Sequence, residues 1–279
     1  MRDLAGAVAV VTGAASGIGR CLALQLARER CALALADTNA GGLERVAEAA
    51  RLAGVRVSTH VVDVASRPVM EAFRDAVVEK HGHVNLLINN AGVGLICNVA
   101  DVSLEDIEWL VGINLWGVIY GVKLFLPLLQ KEERAHIVNI SSIFGMIAPS
   151  GNAPYCASKF AVRGFTEALR HECEMAGGKI KVSTVHPGGI RTAIARHARA
   201  AASVTNAQRS LALTRFDQMA RTTPEDAAER IIRGIQRDEK RILIGADAHF
   251  LDWLHRLLPV RYWSVLTRMG TFRQAGTTS

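Results

Sequence analysis

Apolar and polar positions in this chain follow two alternating periods. Short apolar runs occupy 7–11, 32–36, 56–62, 85–89, 136–140, 181–185 and 241–244. Several are nearly unbroken by polar residues, which is how a parallel strand buried on both faces reads. Between them lie longer stretches whose apolar residues return every three or four positions, predicting helices over 17–30, 43–52, 67–81, 104–130, 155–175 and 224–237. Strands alternating with helices require crossover connections, and so an α/β fold built on one doubly wound parallel sheet of about seven strands. No linker, repeat or low-complexity tract divides residues 1–279, which read as a single domain.

Two stretches leave this rhythm. Residues 189–220 are rich in Arg, Ala and Ser, with weak helical periodicity and no strand; 193–220 is long enough for a substrate lid. Residues 247–269 set aromatic and leucine side chains around Pro259, predicting two short amphipathic helices broken at the proline. For this C-terminal extension (247–279), packing on the core, covering a pocket or partner subunit, and touching a membrane surface are all open.

Composition narrows the class. Hydrophobic residues make up 49% and charged residues 21%, which excludes a disordered or fibrous chain. Cys21, Cys31, Cys97, Cys156 and Cys173 are odd in number and widely spaced, without a C-x-x-C pair, so neither zinc nor a disulfide framework is expected. Reduced thiols fit a cytoplasmic protein. The first 15 residues superficially resemble a signal peptide, but Asp3, Gly6 and Gly13 spoil the pattern. The longest nearly uncharged run, 109–122, contains Asn114 and falls short of the ~20 residues that span a bilayer. The net charge of +7 is unevenly spread: residues 1–179 carry 17 basic and 18 acidic side chains, residues 180–279 carry 16 and 8. No nucleic-acid-binding motif accompanies those arginines. A solvated surface, attraction of an anionic substrate or a peripheral membrane contact would each use them.

The chemistry begins at Thr12-Gly13-Ala14-Ala15-Ser16-Gly17-Ile18-Gly19, between the first strand and the first helix. Glycines there let the backbone turn sharply and approach a pyrophosphate, and the helix start offers free N–H groups and a positive dipole end. A plain tight turn is the alternative. Asp37 ends the second strand, 18 residues past Gly19. An acidic side chain at that point accepts from the adenosine ribose hydroxyls and repels a 2′-phosphate. Ser16 and Thr38 offer that phosphate no cation, so NAD is favoured over NADP; a merely solvated strand-end aspartate is the alternative.

The glycine loop, Asn89-Asn90-Ala91-Gly92, Asn139-Ile140-Ser141-Ser142, Tyr155-Cys156-Ala157-Ser158-Lys159 and Pro187-Gly188 stand in order along residues 5–195. Together they resemble the main branch of the short-chain dehydrogenase/reductase family. The resemblance implies a Rossmann-type sheet, assembly as a homotetramer or homodimer, and a catalytic set of Asn114, Ser142, Tyr155 and Lys159. It also implies a cofactor site made by Gly13, Ser16, Gly17, Ile18, Gly19, Asp37, Asp63, Val64, Asn90, Ala91, Gly92, Tyr155, Lys159, Pro187, Gly188, Ile190 and Thr192. In that scheme Asp63 and Val64 contact the adenine, while Asn90, Ala91 and Gly92 line the adenosine side. Ile190 and Thr192 hold the nicotinamide carboxamide, and Asn114 supports a water beside the lysine. A second glycine at 189 departs from the common form and is expected to loosen that loop.

The residues argue the same chemistry. Tyr155 and Lys159 are four apart on one helix face. An ammonium beside a phenol favours the phenolate, and a depression of ~3 units from a reference near 10 corresponds to roughly 4 kcal/mol, shared between Lys159 and a positive nicotinamide ring. Tyr155 then serves as general base toward an alcohol or general acid toward a ketone. Ser142 is expected to stabilise the substrate oxygen, with Ser141 structural. No metal is expected, and His186, His197 and Cys156 read as scaffold. The expected activity is NAD-dependent interconversion of a secondary alcohol, a lipophilic one, and its ketone. The alternative is an NADPH-dependent 3-oxoacyl thioester reductase, which Asp37 disfavours.

Overall fold

Val8–Thr12 form the first strand of the computed structural model, which describes residues 3–269. In chain order the strands are β1 (Val8–Thr12), β2 (Ala32–Asp37), β3 (Val57–Val61), β4 (Leu86–Asn89), β5 (Leu95–Ile96), β6 (Ala135–Ile140), β7 (Ile180–Pro187), β8 (Arg199–Ala200) and β9 (Arg241–Ile244). The helices are α1 (Gly17–Arg28), α2 (Ala40–Arg51), α3 (Arg67–His81), α4 (Leu104–Val111), α5 (Gly117–Leu129), α6 (Ala153–Met175), α7 (Asn206–Met219), α8 (Pro224–Gln236), α9 (Ala246–Leu257) and α10 (Tyr262–Arg268).

Seven strands make one parallel sheet in the order β3-β2-β1-β4-β6-β7-β9. The continuous apolar runs are explained by burial on both faces. In β1 and β2, Ala9, Val11, Leu33 and Leu35 join the core under α1, α2 and α8, where Leu22, Leu26, Val46 and Ile231 pack. Val10, Ala34 and Ala36 point the other way, toward Phe73, Val77, Phe125 and Leu129 of α3 and α5. After β3 the chain crosses back to place β4 on the far side of β1. The direction of winding therefore reverses between β1 and β4, and a crevice opens at their carboxyl ends.

Two features depart from the sequence pattern, and a third follows it. The 189–220 stretch holds a strand after all: β8 pairs in parallel with β5 as a separate two-stranded sheet. Two-residue strands carry too little alternation to show in a sequence. The helix expected over 104–130 is interrupted by a π-helical turn at Gly112–Trp116, where Asn114 lies fully buried. This helical run, Leu104–Leu129, has 26 residues and a mean hydropathy of 1.5, enough by length and composition to cross a bilayer. Val118, Val122, Phe125 and Leu129 instead pack it on the sheet. The C-terminal extension forms the two expected helices, α9 and α10, on either side of Pro259; residues 270–279 lie outside the described residues.

The core contains three buried histidines held by single hydrogen bonds. His81 Nε2 lies 2.8 Å from Ser58 Oγ, His136 Nε2 lies 2.8 Å from Ser183 Oγ, and His186 Nδ1 lies 3.1 Å from the Ser142 carbonyl. Burial pushes their pKa values down to about 4, about 3 and about 4, respectively. Unfolded histidine takes a proton near pH 6.5, so between that pH and about 4 the unfolded chain binds more protons than the folded one, and stability falls with pH. Urea unfolding midpoints should drop steadily from pH 7 to 4.5. His136→Gln, which keeps an amide nitrogen for Ser183, should flatten that slope; an unchanged slope would contradict this account.

Candidate active site

At the crevice, the glycine loop is shaped by contacts that exclude side chains. Gly13 and Gly17 have φ of +65° and +54°. A Cβ on Gly13 would sit 2.8 Å from Ala91 Cα, and one on Gly19 would overlap the Gly13 carbonyl. Thr12 Oγ1 accepts the Asn90 and Ala91 amides at 3.0 and 3.1 Å, while Asn90 Nδ2 donates to the Thr12 and Gly13 carbonyls at 2.9 and 3.1 Å. The Asn90 side chain is thus committed to holding β1 and β4 together. Ser16 is exposed and makes no capping bond, so the first N–H groups of α1, from Gly17, Ile18 and Gly19, meet no side-chain cap. A Gly-formed concavity with an uncapped helix start fits the pyrophosphate of a dinucleotide.

Asp37 stands at the end of β2. Its Oδ2 accepts the Ala15 amide and its Oδ1 the Asn39 amide, both at 2.9 Å. Each oxygen keeps a second lone pair for a ribose hydroxyl. Asp63 is exposed, with Oδ1 on the Ala65 amide at 2.9 Å. Val64 turns its side chain into the core beside Gly117, so that only its backbone is left for a ligand.

Asn114, Ser142, Tyr155 and Lys159 meet at the ends of β4 and β6 and the start of α6. Asn114 Oδ1 accepts the Val93 amide at 2.8 Å, and its Nδ2 donates to the Val93 carbonyl at 3.0 Å and to Ser158 Oγ at 3.3 Å, which uses three of its four hydrogen-bonding positions. A Cβ on Gly92 would lie 3.2 Å from Asn114 Oδ1 and 3.4 Å from Lys159 Nζ, so these three residues share one spot. Lys159 is 3% exposed and donates to the Ile140 carbonyl at 3.0 Å; its Nζ lies 5.8 Å from the Tyr155 ring centroid. Ser141 Oγ donates to the Lys159 carbonyl at 2.8 Å, anchoring α6 to β6. Ser142 Oγ accepts the Phe144 amide at 3.1 Å and hydrogen-bonds Tyr155.

Burial dominates the electrostatics of the pair. Burial pushes the Tyr155 hydroxyl up to about 12, with the Ser142 hydrogen bond only partly offsetting it. Burial also pushes Lys159 down to about 8. In the chain by itself desolvation outweighs the Ser142 hydrogen bond, whereas the expected depression of the tyrosine draws on a bound nicotinamide ring together with Lys159.

The loop after β7 completes the crevice. A Cβ on Gly17 would lie 3.3 Å from Thr192 Cγ2, so this loop reaches across to the glycine loop. Ile190 is buried and bridges to Thr222, whose carbonyl accepts the Arg191 amide at 2.9 Å. Gly189 does not loosen the segment as expected. Its amide donates to Asp247 Oδ2 at 2.6 Å, and a Cβ there would sit 2.7 Å from the Met219 carbonyl. Gly188 is equally confined, since a Cβ on it would strike the Asp247 carboxylate. The second glycine permits close packing.

With this geometry in place, the chain can be set beside known proteins. Residues 7–203 match the family model of the short chain dehydrogenases. The chain belongs to the short-chain dehydrogenase/reductase family. It is 43% identical over 262 residues to the putative oxidoreductase SadH of Mycobacterium tuberculosis, covering 94% of each chain. It is 31% identical over 270 residues to human estradiol 17-beta-dehydrogenase 11, covering 96% of this chain and 84% of the relative. A crystal structure of a short chain dehydrogenase/reductase from Burkholderia phymatum in complex with NAD superposes with a TM-score of 0.84 at 32% identity, over the full length of both chains. Solved neighbours include complexes with NAD and with NADP. This short-chain dehydrogenase is therefore an oxidoreductase with a Rossmann-type sheet.

Sequence reasoning missed one residue beside the site. Asp247 lies in the extension, distant in sequence from every motif, and only the fold brings it to the 187–192 loop. His186 is buried as the scaffold reading expects, and its Nδ1–H donates to the Ser142 carbonyl at 3.1 Å. Asp247→Ala should free the Gly189 amide. Losing a charge-assisted bond of about 1.5–3 kcal/mol should speed hydrogen exchange at Gly189 by one to two orders of magnitude. Unchanged exchange there would show that Asp247 does not hold the loop.

Proposed function

We propose that the protein interconverts a secondary alcohol, a lipophilic one, and its ketone with NAD as cofactor. The observation that carries this reading is the convergence of Ser142, Tyr155 and Lys159 on one face of the crevice, beside Gly92 and Asn114. Bound NAD would supply the hydride acceptor, and its reduced form the donor.

The chain's own groups divide the remaining work. The glycine loop and the start of α1 would hold the pyrophosphate, Asp37 the adenosine ribose, and Ile190 and Thr192 the carboxamide. Tyr155 gives its hydroxyl proton to a ketone oxygen or takes the alcohol proton. Ser142 holds that oxygen as charge develops on it. Lys159 supplies positive charge behind the phenol, and Asn114, bonded to Val93, fixes the wall against which Lys159 lies. With its pKa raised to about 12 in the chain alone, Tyr155 is a phenol at neutral pH, the form that donates to a ketone.

The lipophilic reading rests on what surrounds the phenol. Phe144 meets the Tyr155 ring edge-on with centroids 6.2 Å apart. Leu95, Ala201, Val93, Trp109 and Val204 form one apolar cluster with Tyr155, so the segment after β8 walls the reacting group. The human relative is likewise named for an alcohol of steroid type.

Tyr155→Phe should lower turnover by about 10²–10⁴-fold, the usual worth of a positioned proton donor, while NADH binding measured by fluorescence stays nearly the same; full activity in this variant would end the mechanism. Wild-type protein should bind NADH more tightly than NADPH, and Asp37→Ala should narrow the gap. A tighter NADPH complex in the wild type would overturn the reading of Asp37.

A further inference from the structure

α9 is apolar on two opposite faces. Ala248, Leu251 and Leu254 are buried against Ile143, Met146 and Ile147, the segment that follows Ser142. On the other side, Phe250, Trp253 and Leu257 are 41%, 57% and 59% exposed, and Val260 continues the stripe at 87%. Phe250, Trp253 and Leu257 are spaced i, i+3 and i+7 on one face of α9, Val260 follows just past the helix end, and Phe250 and Trp253 lie with ring centroids 6.4 Å apart. A helix whose outer face carries this much apolar surface has something left to cover it.

The charges beside the stripe identify the cover. Arg256, Arg261 and Arg268, all exposed, lie close to it along the chain. Acidic residues nearby are engaged: Asp252 pairs with Arg241 and, at 3.3 Å, with Arg256, and Asp247 holds Gly189. From Trp253 to the last residue, 27 positions hold four arginines and no Asp or Glu. A second copy seated through a twofold contact on this face would bring two sets of these arginines to one interface, and the 27 positions from Trp253 onward offer no carboxylate side chain to pair with them. A surface of anionic headgroups over acyl chains matches both features, taking the arginines at the phosphates and the tryptophan and leucine below them.

We propose that the outer face of α9, extended through Val260 and α10, docks this enzyme on anionic lipid membranes. The docking does not depend on the proposed substrate or cofactor. The inner face of the same helix packs on the segment following Ser142, so a docked enzyme presents its catalytic wall close to the lipid.

The test is flotation of the full-length protein, without substrate or cofactor, with vesicles of phosphatidylcholine alone or mixed with phosphatidylglycerol. Wild type should float with the mixed vesicles, far less with phosphatidylcholine, and less as salt rises. Trp253→Glu and the double variant Arg261→Glu/Arg268→Glu should each cut the bound fraction by at least about ten-fold, with thermal midpoint and activity on a water-soluble ketone unchanged. Wild type that ignores phosphatidylglycerol, or variants that bind as well as wild type, would overturn the proposal. Loss of an oligomer on Trp253→Glu in sedimentation velocity, without vesicle binding by wild type, would assign the face to a second copy instead.

Discussion

The crevice exists because two side chains lash together the carboxyl ends of β1 and β4. Thr12 accepts two backbone amides from the start of the β4 loop, and Asn90 returns two donations to the carbonyls of Thr12 and Gly13. At this point the two strands lead their chains in opposite directions, and no ladder hydrogen bond continues past them. Without the lashing, the backbone polar groups exposed by the split would need water, and the glycine loop would have no fixed partner at Ala91. Every later part of the site is measured from this knot: Gly19 packs on the Gly13 carbonyl, Thr192 on Gly17, and Gly92 leads on to Lys159 and Asn114.

The second constraint is burial of charge. Lys159 is nearly enclosed and keeps one carbonyl partner, while Tyr155 is lifted well above the usual phenol range. Such a pair costs stability in the isolated chain, and natural proteins tolerate that cost mainly where chemistry needs it. The crevice thus holds a protonated phenol beside a desolvated cation, a poise that any added positive charge there would shift toward the phenolate.

Much of this was legible in the sequence, for a physical reason. The parallel sheet showed as apolar runs because both faces of β1 and β2 are covered. The glycine loop, Tyr155 and Lys159 showed because each demands residue types at short, fixed spacing. What did not show depends on contacts distant in sequence. Asp247 reaches Gly189 across 58 residues, and that contact turned an apparently loosening glycine into a tightly packed one. The β5–β8 pair is too short to carry a period. The tyrosine's upward shift was invisible because spacing reports a nearby ammonium but not how much water both groups have lost.

The π-helical turn at Gly112–Trp116 has a consequence for how this chain can vary. It accommodates one residue more than an α-helical turn would, so the angular phase of α4 is decoupled from that of α5 by about 100°, one residue's rotation. Leu110 belongs to the small cluster near Tyr155, while Val122 and Phe125 belong to the cluster beneath the sheet. Deleting one residue between 112 and 116 would restore an unbroken helix and set the two halves back in phase, swinging one half out of its groove. The segment works as a phase joint whose length is more tightly constrained than the identity of most side chains along it.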